Sequence, residues 1–134
     1  MERKPSPQAL PITKHAQDIL TLINTHPVTV ISGKTGCGKS TQVPKFILKQ
    51  HPNAKIAVCQ PRRVAAQSLA LRVSQELGQK AGSVVGYHIG MEAFLDDKCS
   101  IVYMTYGILI QKLLFNKRLH YTHIILDEIH ERSL

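Results

Sequence analysis

No apolar run in the 134 residues extends beyond a few positions, far short of the roughly 18 to 20 that a membrane-crossing helix requires. A transmembrane helix is excluded on that ground. The first twenty residues also lack the unbroken apolar stretch of a secretory leader, because Arg3, Lys4, Lys14 and Asp18 alternate with Pro5, Pro7 and Pro11. Cysteine is scarce: Cys37, Cys59 and Cys99 are odd in number and far apart, a pattern that fits neither a disulfide framework nor a paired-cysteine zinc site. An intracellular location, in cytoplasm or nucleus, is the expectation. Tryptophan is absent and aromatic residues make up only 5%, yet 43% of the chain is hydrophobic and only 19% charged. That balance excludes long disorder and collagen-like fibres, and predicts one globular fold. Acidic residues are few, nine against seventeen Lys and Arg, giving a formal charge of +8. Such an excess favours a polyanionic partner such as nucleic acid, although a merely basic surface has the same composition.

Residues 1–11 are Pro-rich and polar and show neither helical nor strand period, so they read as an irregular lead-in. From Ile12 to Ile23 apolar positions recur every three or four residues, as in an amphipathic helix, and His26-Pro27 ends the pattern. Five short apolar runs read as strands: Val28 to Ser32, Lys55 to Gln60, Val84 to His88, Ser100 to Thr105 and His123 to Asp127. Helical stripes follow several of them, with Val43, Phe46 and Ile47 after the first and Leu109, Ile110, Leu113 and Leu114 after the fourth. Alternation of this kind predicts an α/β fold in which helices cover both faces of a parallel sheet.

Between the first strand candidate and its helix lies Gly33-Lys34-Thr35-Gly36-Cys37-Gly38-Lys39-Ser40, which fits the G-x-x-x-x-G-K-[ST] phosphate-binding loop in the chain context that loop requires. Glycines let a bare backbone curl so that N–H groups converge on phosphate oxygens, and the helix that follows adds its positive end. Lys39 is then placed to neutralise β- and γ-phosphates and Ser40 to ligate Mg²⁺. Asp127 and Glu128 follow the apolar run Ile124-Ile125-Leu126. Alone such a pair is most often a solvated turn, but beside a phosphate loop it divides the work: Asp127 holds Mg²⁺ and Glu128 orients and deprotonates a water.

The successive segments GKTGCGKSTQVPKFIL, QPRRVAAQSLALRV, MTYGILIQKLL and DEIHERSL resemble the ordered motifs of a DEAH/DExH-box RNA helicase, from about Leu10 to the last residue. The resemblance implies a P-loop NTPase of RecA-like fold, with residues 12–134 forming part of the ATP-binding domain and ATP–Mg²⁺ and RNA as ligands. Gly33, Thr35, Gly36, Cys37, Gly38, Lys39, Ser40 and Thr41 fall in its nucleotide-binding loop. Asp127, Glu128 and His130 match its DExH box, where the histidine couples nucleotide state to the motor. Arg72 lies where such helicases stack an arginine on the base, which implies acceptance of several nucleoside triphosphates. Gln60, Pro61, Arg62 and Arg63, together with Thr105 and Gly107, match segments that contact the RNA backbone, and phosphate contacts by Arg62 and Arg63 supply affinity without sequence choice.

DEAD-box proteins have Ala-Asp at the end of their second motif, unlike this chain; Gln17 lies where they carry an adenine-reading glutamine, but a single Gln there reads as a surface helix residue. Lys34 stands where the DEAH family usually has Glu, and Gly90 where it usually has Arg, which removes one RNA contact. YHIGME and TYGILIQKLL lean toward the Tudor-domain-bearing germline subgroup.

The resemblance further implies a second RecA-like domain whose arginine fingers contribute about 10³ to 10⁵ in rate, equivalent to about 4 to 7 kcal/mol. It also places one more strand between those of the phosphate loop and the DExH box, so the 134 residues are expected to form a sheet truncated after the DExH-box strand, with backbone groups left unpaired. Two functions follow: the amino-terminal lobe of an ATP-dependent RNA helicase motor, or a non-catalytic nucleotide- or RNA-binding module or inactive truncated product.

Overall fold

The computed structural model describes residues 11–33, 38–80, 82–95, 98–115 and 120–127. The chain divides into two compact units, Met1–Pro52 and Asn53–Leu134.

In the first unit a short 3-10 helix, Pro11–His15, leads into α1, Ala16–Thr25, and a second helix, α2, spans Lys39–Gln50. The predicted helix over Ile12 to Ile23 is thus a 3-10 turn followed by an α-helix that runs two residues further. Ile12, Ile19, Leu20, Val43 and Ile47 are buried, the 3-10 helix, α1 and α2 pack on one another, and the amide of Asn24 donates to Gln50 at 2.7 Å to tie the two α-helices together. The strand expected at Val28 to Ser32 does not form. Val28 and Val30 are each 79% exposed, and no ladder joins this run to another described strand. Strand propensity is worth at most about 1 kcal/mol and depends on neighbours, so an apolar run becomes a strand only where another strand takes up its hydrogen bonds.

The second unit is built on a five-stranded sheet. Its elements in chain order are β1 (Ile56–Gln60), α3 (Arg63–Glu76), β2 (Val85–Ile89), β3 (Glu92–Phe94), β4 (Ile101–Thr105), α4 (Tyr106–Phe115) and β5 (His123–Leu126). The strand order is β3-β2-β4-β1-β5, and every neighbouring pair is parallel except β2 with β3. This is the α/β architecture that strand–helix alternation predicts. The exception, β3, is three exposed residues, Glu92-Ala93-Phe94, too short a run for strand alternation to show along the chain; it folds back through the two-residue turn Gly90-Met91, with Gly90 at φ +51°.

Pro61 ends β1, since proline offers no N–H to continue a ladder. Side chains alternate between the two faces of the sheet. Ala57, Cys59, Val102 and Met104 pack on one side with Ile108 and Leu109 of α4. The opposite side carries Val58, Tyr103 and Val85, all fully buried, and α3 packs on β2, β4 and β1. Its small residues Ala66 and Ala70, four apart, let that helix approach the sheet closely.

Candidate functional site

In the first unit Gly38 occupies the N-cap of α2 at φ 99°, in the left-handed region that glycine adopts without penalty. The first bond of the helix runs from the Gln42 N–H to the Gly38 carbonyl at 2.8 Å. The N–H groups of Lys39, Ser40 and Thr41 therefore stand ahead of the ladder at the positive end of a twelve-residue helix. Lys39 curls back from this first turn, and its ammonium donates to the Gly33 carbonyl at 2.6 Å. One side chain thus links the first turn of α2 to Gly33, six residues earlier. Thr41 is buried, and its hydroxyl donates to the Gly38 carbonyl and accepts from Gln42. These features fit a nucleotide triphosphate: backbone N–H groups, one ammonium for phosphate oxygens, and the Ser40 hydroxyl, a hard donor of the kind Mg²⁺ prefers. Lys34, Thr35, Gly36 and Cys37 lie outside the described residues.

In the second unit Asp127 follows β5 directly and is held at three points. Its N–H donates to the Cys59 carbonyl at 3.0 Å, its carbonyl accepts from the Tyr106 hydroxyl, and its Oδ2 accepts from the Gln60 amide at 2.5 Å. That amide tethers one carboxylate oxygen, and a hard oxygen donor oriented by a neighbouring group suits a magnesium ligand. Tyr103 lies fully buried on the same side of the sheet; burial, then the carboxylates of Glu76 and Asp127, raise its phenol well above the ordinary tyrosine range. Glu128 and His130 lie outside the described residues.

The residues expected to touch RNA stand around the C-terminal edge of the same sheet. Arg62 is exposed at the N-cap of α3, and Arg63 opens that helix with its guanidinium against the β2–β3 turn, where a Cβ on Gly90 would come within 3.1 Å of it. Thr105 closes β4 in register with Gln60, and Gly107 is exposed in the first turn of α4. Arg72 sits nine residues beyond Arg63 on α3, about two and a half turns, its Nε 4.0 Å from Glu76. The motif that groups Gln60 with Arg62 and Arg63 is divided by the structure: Gln60 is only 2% exposed, and its amide faces Asp127 rather than solvent. The contacts of Gln60 and Tyr106 with Asp127 leave no mark along the chain, because they form only once β1, β4 and β5 pair. Gln17 is an exposed residue of α1.

Over residues 8–133 the chain matches the sequence pattern of the DEAD/DEAH box helicases. It belongs to that family. The mostly parallel five-stranded sheet with its flanking helices is consistent with the RecA-like domain of that family. Among relatives, the chain is 44% identical over 134 residues to a protein named probable ATP-dependent RNA helicase spindle-E from Anopheles gambiae, covering 96% of this chain and 9% of that protein. It is 43% identical to the ATP-dependent RNA helicase TDRD9 of Danio rerio, covering 92% and 9%. Identity to the probable ATP-dependent RNA helicase DHR2 of Saccharomyces cerevisiae is also 43%, covering 95% and 18%. The chain therefore spans about a tenth to a fifth of the length of these helicase relatives, and over this segment it is about equally similar to all three.

Proposed function

We propose that this chain is the nucleotide-binding segment of an ATP-dependent RNA helicase motor, with ATP–Mg²⁺ and the RNA backbone as its ligands. The observation that carries the reading is the loop held by Lys39 across to Gly33 at the start of α2, in a chain whose sequence pattern is that of the helicase family.

Lys39 exchanges the Gly33 carbonyl for β- and γ-phosphate oxygens, and the N–H groups of Gly33, Thr35, Gly36, Cys37, Gly38 and Thr41 supply further donors. Ser40 and Asp127 hold Mg²⁺, which when bound neutralises charge on the phosphates. Glu128 orients and deprotonates the attacking water, and His130 ties nucleotide state to the rest of the motor. Arg72 stacks on the base, a contact that reads a ring face and so accepts several nucleoside triphosphates. Arg62, Arg63, Thr105 and Gly107 grip phosphates of the RNA, which gives affinity with little sequence preference. Coupling of hydrolysis to strand separation is assigned to a two-domain protein carrying this segment.

A thermal melt tests the nucleotide site. ATP–Mg²⁺ at 100 times its dissociation constant stabilises a folded protein by about 2.7 kcal/mol, so the melting temperature should rise by several degrees, and Lys39→Ala should remove the rise. An equal rise in the variant overturns the assignment.

A further inference from the structure

Thr105, Gln60 and Asp127 form one row across three parallel strands. Gln60 is paired with Thr105, and Asp127 follows the last registered pair of β1 and β5, Cys59 with Leu126. The middle member of the row is a nearly fully buried amide, costly to place there unless it is hydrogen-bonded. Its partner is the Asp127 carboxylate. The second hold on Asp127 comes from the Tyr106 hydroxyl, whose ring packs on the apolar cluster beneath α4.

Chain position gives these two contacts their meaning. Gln60 is separated from Arg62 by Pro61 alone, and Tyr106 lies between Thr105 and Gly107. Each segment proposed to grip RNA therefore places one side chain on the residue proposed to hold Mg²⁺. A phosphate drawn toward Arg62 and Arg63 pulls on the end of β1, and one drawn toward Thr105 and Gly107 pulls on the junction of β4 and α4. Both displacements reach Asp127 through a single hydrogen bond.

We infer that Gln60 and Tyr106 are positioning residues that link occupancy of the RNA face to the Asp127 carboxylate, so that RNA and magnesium-bound nucleotide each tighten the binding of the other. The inference rests on the ATP- and RNA-binding reading above. Coupling of this kind is reciprocal and typically about 5- to 150-fold. Contact is its precondition and a measured ratio its proof.

The test titrates the 134-residue chain with a fluorescent ATP analogue in Mg²⁺, with and without a saturating single-stranded oligouridylate. In the wild type, RNA should tighten nucleotide binding about 5-fold or more, and chelating Mg²⁺ with EDTA should abolish the gain. Tyr106→Phe, which keeps the ring and loses only the hydroxyl, and Gln60→Leu should each bring the ratio close to one. A purely structural role would weaken each affinity and leave the ratio intact. Should Gln60→Leu fail to fold, Tyr106→Phe carries the test. The inference is overturned if both ligands bind the wild type with a ratio of one, or if the ratio survives in the folded variants. Failure of the wild type to bind either ligand instead overturns the functional reading beneath it, and the inference with it.

Discussion

The runs Val28 to Ile31 and Ile56 to Cys59 are both four residues long, largely apolar and at least half β-branched. Every residue of the second is fully buried in a strand laddered on both sides, whereas Val28 and Val30 of the first stand 79% exposed with no described strand beside them. Composition alone cannot separate the two. What differs is the presence of neighbours: a central strand has both rows of backbone groups paired and both faces covered, so its side chains add burial to hydrogen bonds already made. Tertiary context, more than propensity, decides which apolar run becomes a strand.

The largest test of that contrast is a matched pair of truncations. Ile56→Ala should cost about 2 to 5 kcal/mol, as for other fully buried isoleucines, and Val30→Ala no more than about 0.5 kcal/mol, as for exposed positions. Urea denaturation gives both values, and amide exchange should be slow along Ile56–Gln60 and fast along residues 28–31. Comparable losses from the two substitutions would erase the distinction.

A smaller effect is expected at the β2–β3 turn, where the sheet meets a charged side chain in place of another strand. Gly90→Ala puts a Cβ on a residue at φ +51° and within 3.1 Å of the Arg63 guanidinium. The backbone strain should cost about 1 to 2 kcal/mol. The guanidinium must give by a few tenths of an ångström, which it can do at little cost, so the proposed RNA affinity should change far less in Gly90→Ala than in Arg63→Ala; full affinity in Arg63→Ala would remove Arg63 from the proposed RNA face.

The smallest effect is a pH dependence in β2. Burial, and then the nearby Lys112 ammonium, lower the His88 pKa below its ordinary value. The neutral ring is therefore favoured in the folded state. Its contribution to stability is complete above the unfolded pKa, near 6.5, and is lost as the pH falls from there through the folded value. The urea midpoint should drop between pH 7.5 and pH 5.5, and His88→Gln should flatten the drop; an equal drop in the variant would assign it to other groups.

Much of this molecule was legible from sequence where the signal is local. Lys55 to Gln60 and Ser100 to Thr105 each announce a buried strand by an apolar run that meets a break or a helical stripe, and the observed strands differ by one residue at the start. Lys39, Ser40 and Asp127 stand out along the chain because the chemistry proposed for them requires fixed residue types at fixed spacing, and the Lys39→Ala melt decides whether they carry it. Glu92–Phe94 left no such trace, being short and exposed, although a glycine ahead of a possible return strand is a turn signal. The hold of Gln60 on Asp127 spans 67 positions and exists only through the register of β1 with β5. No pattern along the chain encodes it.

The two buried cysteines carry one more consequence. Cys59 and Cys99 lie in the same apolar cluster, and burial pushes the Cys59 thiol up to about 12. Only the thiolate attacks an alkylating reagent, so at neutral pH the native sheet shields Cys59 twice, by access and by charge. Modification of that sulfur can proceed only as fast as the strands part, and the rate at which it takes up a maleimide becomes an intrinsic clock for how often the centre of the domain opens.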